Sequence, residues 1–391
     1  DNEILEEPLL PGLAPYPGVD EISPTMNIGE VLDVDEIKAA KDPPLDISPF
    51  DGIRGLSAVV IVIGHLLTFW VPAIDRDETF PVRYPLFGVE YLSAVTLFFV
   101  ISGFTLAHVY DRQSNDGSAQ CQLSNRDQRK LFYWRRIARL MPMYYSGLVL
   151  GLGPLIVYAS PFHIALTVPL TLLVVQSLTL IGIGWDGPLW TVSALAVCYL
   201  LFPCLFTRFR ESRPRILLIG MIGCTVASWL TWAICIFLVR SGDLLHLFAL
   251  FRIPHFLIGV LAALYFLPGA RRLSRPTLVA ELCSCFLALS FSLCAAAGTG
   301  HPVVYFFYMY TAEFVFLPVF ALWVSALSHP SCRGPTRRLL RSPPLCWLGR
   351  VSYPLYCLHF PAIAWFAWAA AGGVSRDAVP PRAAGAFFFC L

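Results

Sequence analysis

The sequence predicts an all-α fold, a polytopic bundle of about ten transmembrane helices. Two observations carry that reading. Apolar runs of about 18 residues or more, the length a helix needs to cross hydrocarbon, recur along the chain. Of its 391 residues 57% are hydrophobic and only 14% are charged, where soluble domains carry about 25% charged residues. Helices are the expected element because a bilayer offers the backbone no water to bond, and a helix satisfies its own polar groups.

The first 51 residues hold 13 of the 26 acidic side chains against two lysines. With several prolines and almost no aromatic residues, residues 1–50 read as a disordered acidic tail. No basic start followed by an apolar core marks them as a signal peptide. Residues 51–391 then form one membrane domain. The chain opens on Asp1 and stops inside the apolar run GAFFFCL, so a truncated C-terminal end is expected. Most of the twelve cysteines fall in apolar runs and show no metal-ligand spacing; they read as small buried hydrophobes, and no metal site is expected.

Hydropathy places helices near 53–73, 88–110, 140–158, 162–184, 188–207, 215–239, 244–267, 277–298, 302–327 and 346–371, with a further stub from 383. Loop charge orients them. Seven Lys/Arg lie between Arg112 and Arg139, four in RFRESRPR (208–215), three in RRLSR (271–275), and four at Arg333, Arg337, Arg338 and Arg341. Basic loops face the cytosol, which puts the N-terminal tail inside. Two complete spans over 140–184 would place RFRESRPR outside. Either 162–184 is re-entrant or that loop breaks the rule, and the re-entrant reading is favoured.

Within the first span, IRGLSAVVIVIGHLLTFWV, Arg54 and His65 stand eleven residues apart. At about 100° per residue they return to one face, roughly 16 Å apart along the axis. Ionisable groups in a span are functional candidates, since hydrocarbon does not solvate them; a snorkelling Arg and a hydrogen-bonded structural His are the plain alternative. Arg136 and Arg139, in YWRRIARLMPMYY, share a helix face one turn apart. They suit a multiply charged phosphate ligand through bidentate bonds, or serve simply as a cytosolic anchor. In FFVISGFTLAHVY, Gly103 lets another helix approach closely, and Ser102 either packs or bonds a substrate. Other polar groups at membrane depth are Trp190, Ser193, Tyr199, Arg252, His255, Glu313, Tyr353 and His359, each a candidate for cavity lining or for a structural bond. Arg252 is the most costly and needs an anion or a water-filled cavity, with Glu313 either a candidate partner for it or for His65 or a neutral, protonated side chain.

The ordered set IRGLSAVVIVIGH, FFVISGF, RRIARLMPMYY, PLWTVSALAVCYLLFP, RIPHFLIGV and LGRVSYPLYCLHFP closely resembles the acyltransferase 3 family of integral membrane acyltransferases, over about residues 51–365. The resemblance implies transfer of acetyl or another short acyl group from acyl-CoA to a hydroxyl of a glycan, lipid or small metabolite. It maps the family's Arg-x10-His element onto Arg54 and His65 and its Arg-x-x-Arg element onto Arg136 and Arg139. One departure stands out: where the family often carries W-S-L-S-x-E-x-x-F-Y, this chain has Leu195 and Ala196 in place of the acidic region, while Trp190, Ser193 and Tyr199 remain. The implied partners are an acyl-CoA donor (acetyl-CoA foremost), a hydroxyl-bearing acceptor and the bilayer, with no nucleic acid and no permanently bound cofactor. In this reading His65, buried and neutral, is the general base or helps pass the acyl group onward, and Arg54 binds donor oxygens or developing negative charge. The alternatives are a transporter using His65, Arg252 and Glu313 as a relay, against which the lack of a visible repeat weighs, and an inactive receptor or scaffold.

Overall fold

The structure is a computed structural model that describes residues 46–66, 85–115, 123, 125–158, 161–179, 187–239, 242–266, 273–298 and 311–370. Among these residues every regular element is helical. In chain order they are α1 (Pro49–His65), α2 (Pro85–Asn115), α3 (Arg126–Tyr158), α4 (Pro161–Leu172), α5 (Trp190–Arg210), α6 (Pro214–Ala233, continued by a π-helical stretch Ile234–Val239), α7 (Gly242–Leu247), α8 (Ile253–Phe266), α9 (Pro276–Gly298), α10 (Leu317–Ser328), α11 (Pro335–Leu340) and α12 (Pro343–Ala370). The acidic residues 1–45 and the stub from 383 lie outside the described residues.

Five helical stretches among the described residues are long and apolar enough to cross a membrane, where about ten spans are expected for the whole chain. They run Leu92–Asp111, Gly187–Arg210, Pro214–Val239, Ala249–Phe266 and Pro276–Leu293. Parts of several expected spans, 67–73, 180–184 and 302–310 among them, lie outside the described residues. α1 is 17 residues long and contains Asp51 and Arg54. α3 has 33 residues, but its first half is charged and only the second half is the expected apolar segment. The region 162–184 is divided. α4 has 12 residues, about 18 Å at 1.5 Å per residue. Val174 then turns the chain with φ 60°, a left-handed conformation costly for a β-branched side chain. A short 3-10 turn follows at Gln176–Leu178.

The expected helix over 244–267 is likewise broken. Phe248 adopts an extended conformation between α7 and a 3-10 turn at Ala249–Arg252. α8 follows directly, with Pro254 in its first turn, where the missing N–H is not needed.

Two crossings organise the bundle. α12 packs along α1 and α3, and α8 lies between α2 and α6. Small residues set both distances. A Cβ at Gly103 of α2 would stand 2.1 Å from the carbonyl oxygen of Phe256, and one at Gly259 of α8 would stand 2.1 Å from that of Val100. The close approach expected at Gly103 is thus reciprocal across α2 and α8. On the other crossing, a Cβ at Gly349 of α12 would meet the Asp51 carbonyl of α1 at 2.0 Å. Inside hydrocarbon such contacts replace the hydrophobic effect as the source of helix association.

The entry to α1 is tied down by charge. The Asp46 backbone N–H donates to the Ser328 carbonyl at 2.8 Å, and Arg337 meets the Asp46 carboxylate at 2.6 Å, with Arg341 at 3.4 Å. Burial pushes the Asp46 carboxyl up, but hydrogen bonding by Ser48, whose backbone N–H donates to Oδ1 at 2.9 Å, and the two guanidinium groups outweigh it and leave it below the ordinary carboxylate value.

Two outcomes follow. Gly259→Leu forces α2 and α8 apart and lowers stability by about 1–3 kcal/mol or more, read as a lower melting temperature in detergent. Because the folded-state Asp46 carboxyl ionises more easily than the unfolded one, its contribution is present above the ordinary carboxylate pKa of about 3.9. It is lost as pH falls through the lower folded value. Asp46→Asn therefore lowers the melting temperature at pH 7 by the equivalent of about 1 kcal/mol, since the group is part-solvated, and the two proteins converge in acid; a constant gap across pH would refute the charge term.

Candidate active site

A cleft opens between α1, α2, α3, α5 and α12. Its wall carries three guanidinium groups, from Arg54, Arg136 and Arg139, with the hydroxyls of Ser102, Thr105, Thr191, Tyr199, Ser352, Tyr353 and Tyr356. Val95, Phe98, Phe99, Leu140, Val192 and Leu195 supply apolar wall. Of the residues singled out in the sequence, Arg54, Arg136, Arg139, Ser102, Tyr199 and Tyr353 thus meet at one cavity.

Arg54 is held by Asp51 one turn earlier at 2.9 Å and donates to the Thr105 hydroxyl of α2 at 3.2 Å. Arg136 is oriented differently: its guanidinium lies over the rings of Phe132 (5.6 Å) and Tyr199 (5.9 Å), and its buried Nε has no hydrogen-bond partner among the described residues. A buried, unsatisfied cationic N–H costs free energy until an acceptor reaches it. Leu195, where the family resemblance leads one to expect an acidic side chain, faces this same cavity.

His65 and His359 do not line the cleft; they form a pair beyond it. His65 Nδ1 stands 3.1 Å from His359 Nε2, with the ring centroids 5.0 Å apart. The same His65 nitrogen lies 3.0 Å from the Ile61 carbonyl, and His359 Nδ1 lies 2.7 Å from the Tyr356 carbonyl. Tyr356 joins the two regions. Its side chain lines the cleft, its ring is 5.7 Å from that of His359, and its hydroxyl donates to the Pro188 carbonyl at 2.8 Å while accepting from Thr191 at 2.9 Å. Sequence reasoning did not single out Tyr356, although the Tyr353–Tyr356–His359 spacing of three residues marks one helix face.

The remaining candidates build a second, closed cluster. Arg252 and Glu313, both fully buried, form an ion pair at 2.7 Å. His246 Nδ1 reaches the same carboxylate at 2.9 and 3.1 Å, and Arg252 Nε donates to the His246 carbonyl at 3.0 Å. The break at Phe248 makes this bond possible by presenting the His246 carbonyl to Arg252. Trp190 covers the guanidinium at 5.2 Å and stacks edge-on against His246. His255 is buried between Thr96 (3.5 Å) and Ser228 (3.2 Å). Glu313 is therefore the partner of Arg252, not of His65. The Ser193 hydroxyl accepts a hydrogen bond from that of Ser177 at 2.6 Å. His246, Thr96 and Ser228 escaped sequence reasoning because their partners are distant in the chain and no spacing links them.

The chain is 23% identical to the peptidoglycan O-acetyltransferase OatA of Listeria monocytogenes over 340 residues, which cover 81% of the chain and 49% of that protein. It is 34% identical to protein 2 in the picA locus of Rhizobium radiobacter over 111 residues, 28% of the chain and 47% of that protein. The chain thus spans about half the length of the curated relatives it matches. No solved structure matches it significantly. The family model described as an acyltransferase domain matches residues 48–389, and this protein, with its arginine-lined cleft and paired imidazoles, belongs to the acyltransferase 3 family.

Proposed function

We propose that the protein is a membrane O-acyltransferase that moves an acetyl or other short acyl group from acyl-CoA to a hydroxyl of a glycan, lipid or small metabolite. The observation that carries this reading is the cleft with three guanidinium groups, Arg54, Arg136 and Arg139, whose wall residue Tyr356 also touches the His65–His359 pair. Loop charge supports a donor arriving from the cytosol, with the N-terminal tail on that side and the region 162–184 re-entering rather than crossing. The OatA similarity favours acetyl as the group moved and a glycan as acceptor.

The donor's phosphates suit Arg136 and Arg139. Arg makes charge-assisted, bidentate bonds to phosphate oxygens, and Arg136 Nε lacks an acceptor among the described residues. Leu195 strengthens the case: with an apolar side chain in the wall, the carboxylate paired with these arginines among the described residues is Asp51. The cleft is then net positive and favours a polyanionic ligand. Arg54, tethered by Asp51 and Thr105, is the fixed charge nearest α2 and serves to bind a donor oxygen or the developing oxyanion. His65 acts as general base on the acceptor hydroxyl. A relay through His65, Arg252 and Glu313, as a transporter would use, finds less support, because Arg252 and Glu313 bond each other and His65 bonds His359.

With purified protein and radiolabelled acetyl-CoA, label appears covalently on a hydroxyl acceptor. Flux across vesicles without a labelled product would instead establish transport. His65→Ala lowers kcat by about 10²–10⁴-fold while the Kd for acetyl-CoA stays within about twofold; near-normal turnover would end the base assignment. Arg136→Ala raises that Kd about tenfold, the loss of one charge-assisted bond of about 1.4 kcal/mol. An unchanged Kd would remove Arg136 from the donor site.

A further inference from the structure

The hydrogen bonds around the two histidines run in one direction only. The Tyr356 and Ile61 carbonyls can accept but not donate. His359 Nδ1, 2.7 Å from the Tyr356 carbonyl, must therefore carry a proton. In a neutral ring this leaves Nε2 of His359 as an acceptor, and the donor facing it at 3.1 Å is His65 Nδ1. His65 Nδ1 also faces the Ile61 carbonyl at 3.0 Å, so a proton there satisfies both neighbours. The opposite arrangement, a doubly protonated His359 donating to His65, sets the His65 Nδ1 lone pair against the Ile61 carbonyl. It also buries an imidazolium whose hydrogen-bond partners among the described residues are the Tyr356 carbonyl and His65, with no carboxylate, which is strongly unfavourable. Nδ1–H of His65 leaves Nε2 as its basic nitrogen.

We propose that His359 is a positioning residue: it holds His65 as the Nδ1–H tautomer, with Nε2 as the base, and shares the positive charge His65 gains in the reaction. The proposal rests on the acyl-transfer reading above. In the step, the acceptor oxygen uses a lone pair to form the bond to the acyl carbon, and its proton goes to His65 Nε2. The bond from the acyl carbon to the donor's leaving atom breaks with its electron pair, and that atom takes the Nε2 proton, returning His65 to its starting state. While His65 is charged, its Nδ1–H bond to His359 strengthens, since a charge-assisted bond is about twice as strong as a neutral one. The role is that of the buried acid in a Ser-His-Asp triad, which orients the imidazole and stabilises the imidazolium. A neutral imidazole fills it here, backed by the Tyr356 carbonyl.

The test combines substitution with a direct probe of the bond, on the full chain in detergent. His359→Gln keeps an acceptor oxygen near the position of Nε2, whereas His359→Phe keeps bulk and loses the acceptor. Expected for His359→Phe is a fall in kcat of about 10²-fold with KM within about threefold, and for His359→Gln a kcat within about tenfold of the unsubstituted protein. Equal losses in the two variants, or a loss carried by KM, would assign His359 to packing alone. Independently of turnover, ¹⁵N NMR of histidine-labelled protein is expected to show His65 protonated at Nδ1 and scalar-coupled through that proton to His359 Nε2. A His65 protonated at Nε2, or no coupling in the folded protein, would overturn the proposal even if the enzyme is active. Absence of any acyl transfer by the unsubstituted protein, with the coupling present, would instead defeat the reaction assigned to the site.

Discussion

The site depends on how closely α1 approaches α12. Arg54 and His65 lie on one helix, Ser352, Tyr353, Tyr356 and His359 on the other, and both the cleft and the imidazole pair exist only where the two faces meet. Gly349 against the Asp51 carbonyl sets that distance. A side chain there would separate the helices, and a 3.1 Å bond between His65 and His359 tolerates little separation. In a bilayer, apolar side chains gain nothing by leaving lipid for one another, so this approach is held by close packing and by polar bonds. The Asp46–Arg337 ion pair closes the same crossing at its end, joining the start of α1 to the segment that leads into α12.

A second constraint divides the molecule's charges into two groups. A charge inside a helical bundle must be paired or lie in a wet cavity. Arg252 meets this fully: Glu313, the His246 carbonyl and the faces of Trp190 and Phe314 surround it. Breaking such a pair leaves an uncompensated buried charge, which explains why the chain gives up helical continuity at Phe248 to supply the His246 carbonyl. The arginines of the cleft are treated differently. Arg54 has one partly exposed carboxylate, and Arg136 has aromatic faces with an unsatisfied Nε. One cluster is complete without a ligand; the other gains from an anion.

Much of this was legible in the sequence, for identifiable reasons. The eleven-residue spacing of Arg54 and His65 and the three-residue spacing of Arg136 and Arg139 are statements about one helix each, and helical periodicity carries them directly. Gly103 likewise announced a close crossing because few other roles suit glycine within an apolar helix. What failed were continuity and partnership. A hydropathy window averages across Phe248 and Val174, so 244–267 and 162–184 read as single spans although backbone geometry interrupts both; a valine at φ 60° follows from tertiary packing, not from local preference. Partnership failed by distance. His65 and His359 are 294 residues apart, and nothing in the spacing of either helix selects the other.

The apolar residue at Leu195 then has a consequence for the chemistry. A carboxylate in the cleft wall would neutralise one of three nearby guanidinium groups and give an acceptor hydroxyl a second base. With leucine there, the proposed reaction leaves the acceptor's proton to His65, and the burden of making that imidazole basic falls on its own partners. A neutral His359, locked by the Tyr356 carbonyl, meets that need without adding a negative charge that would offset the arginines. Keeping the cleft net positive for the donor and orienting the base through an uncharged partner are thus two sides of one electrostatic arrangement, in which anion binding and proton acceptance do not compete.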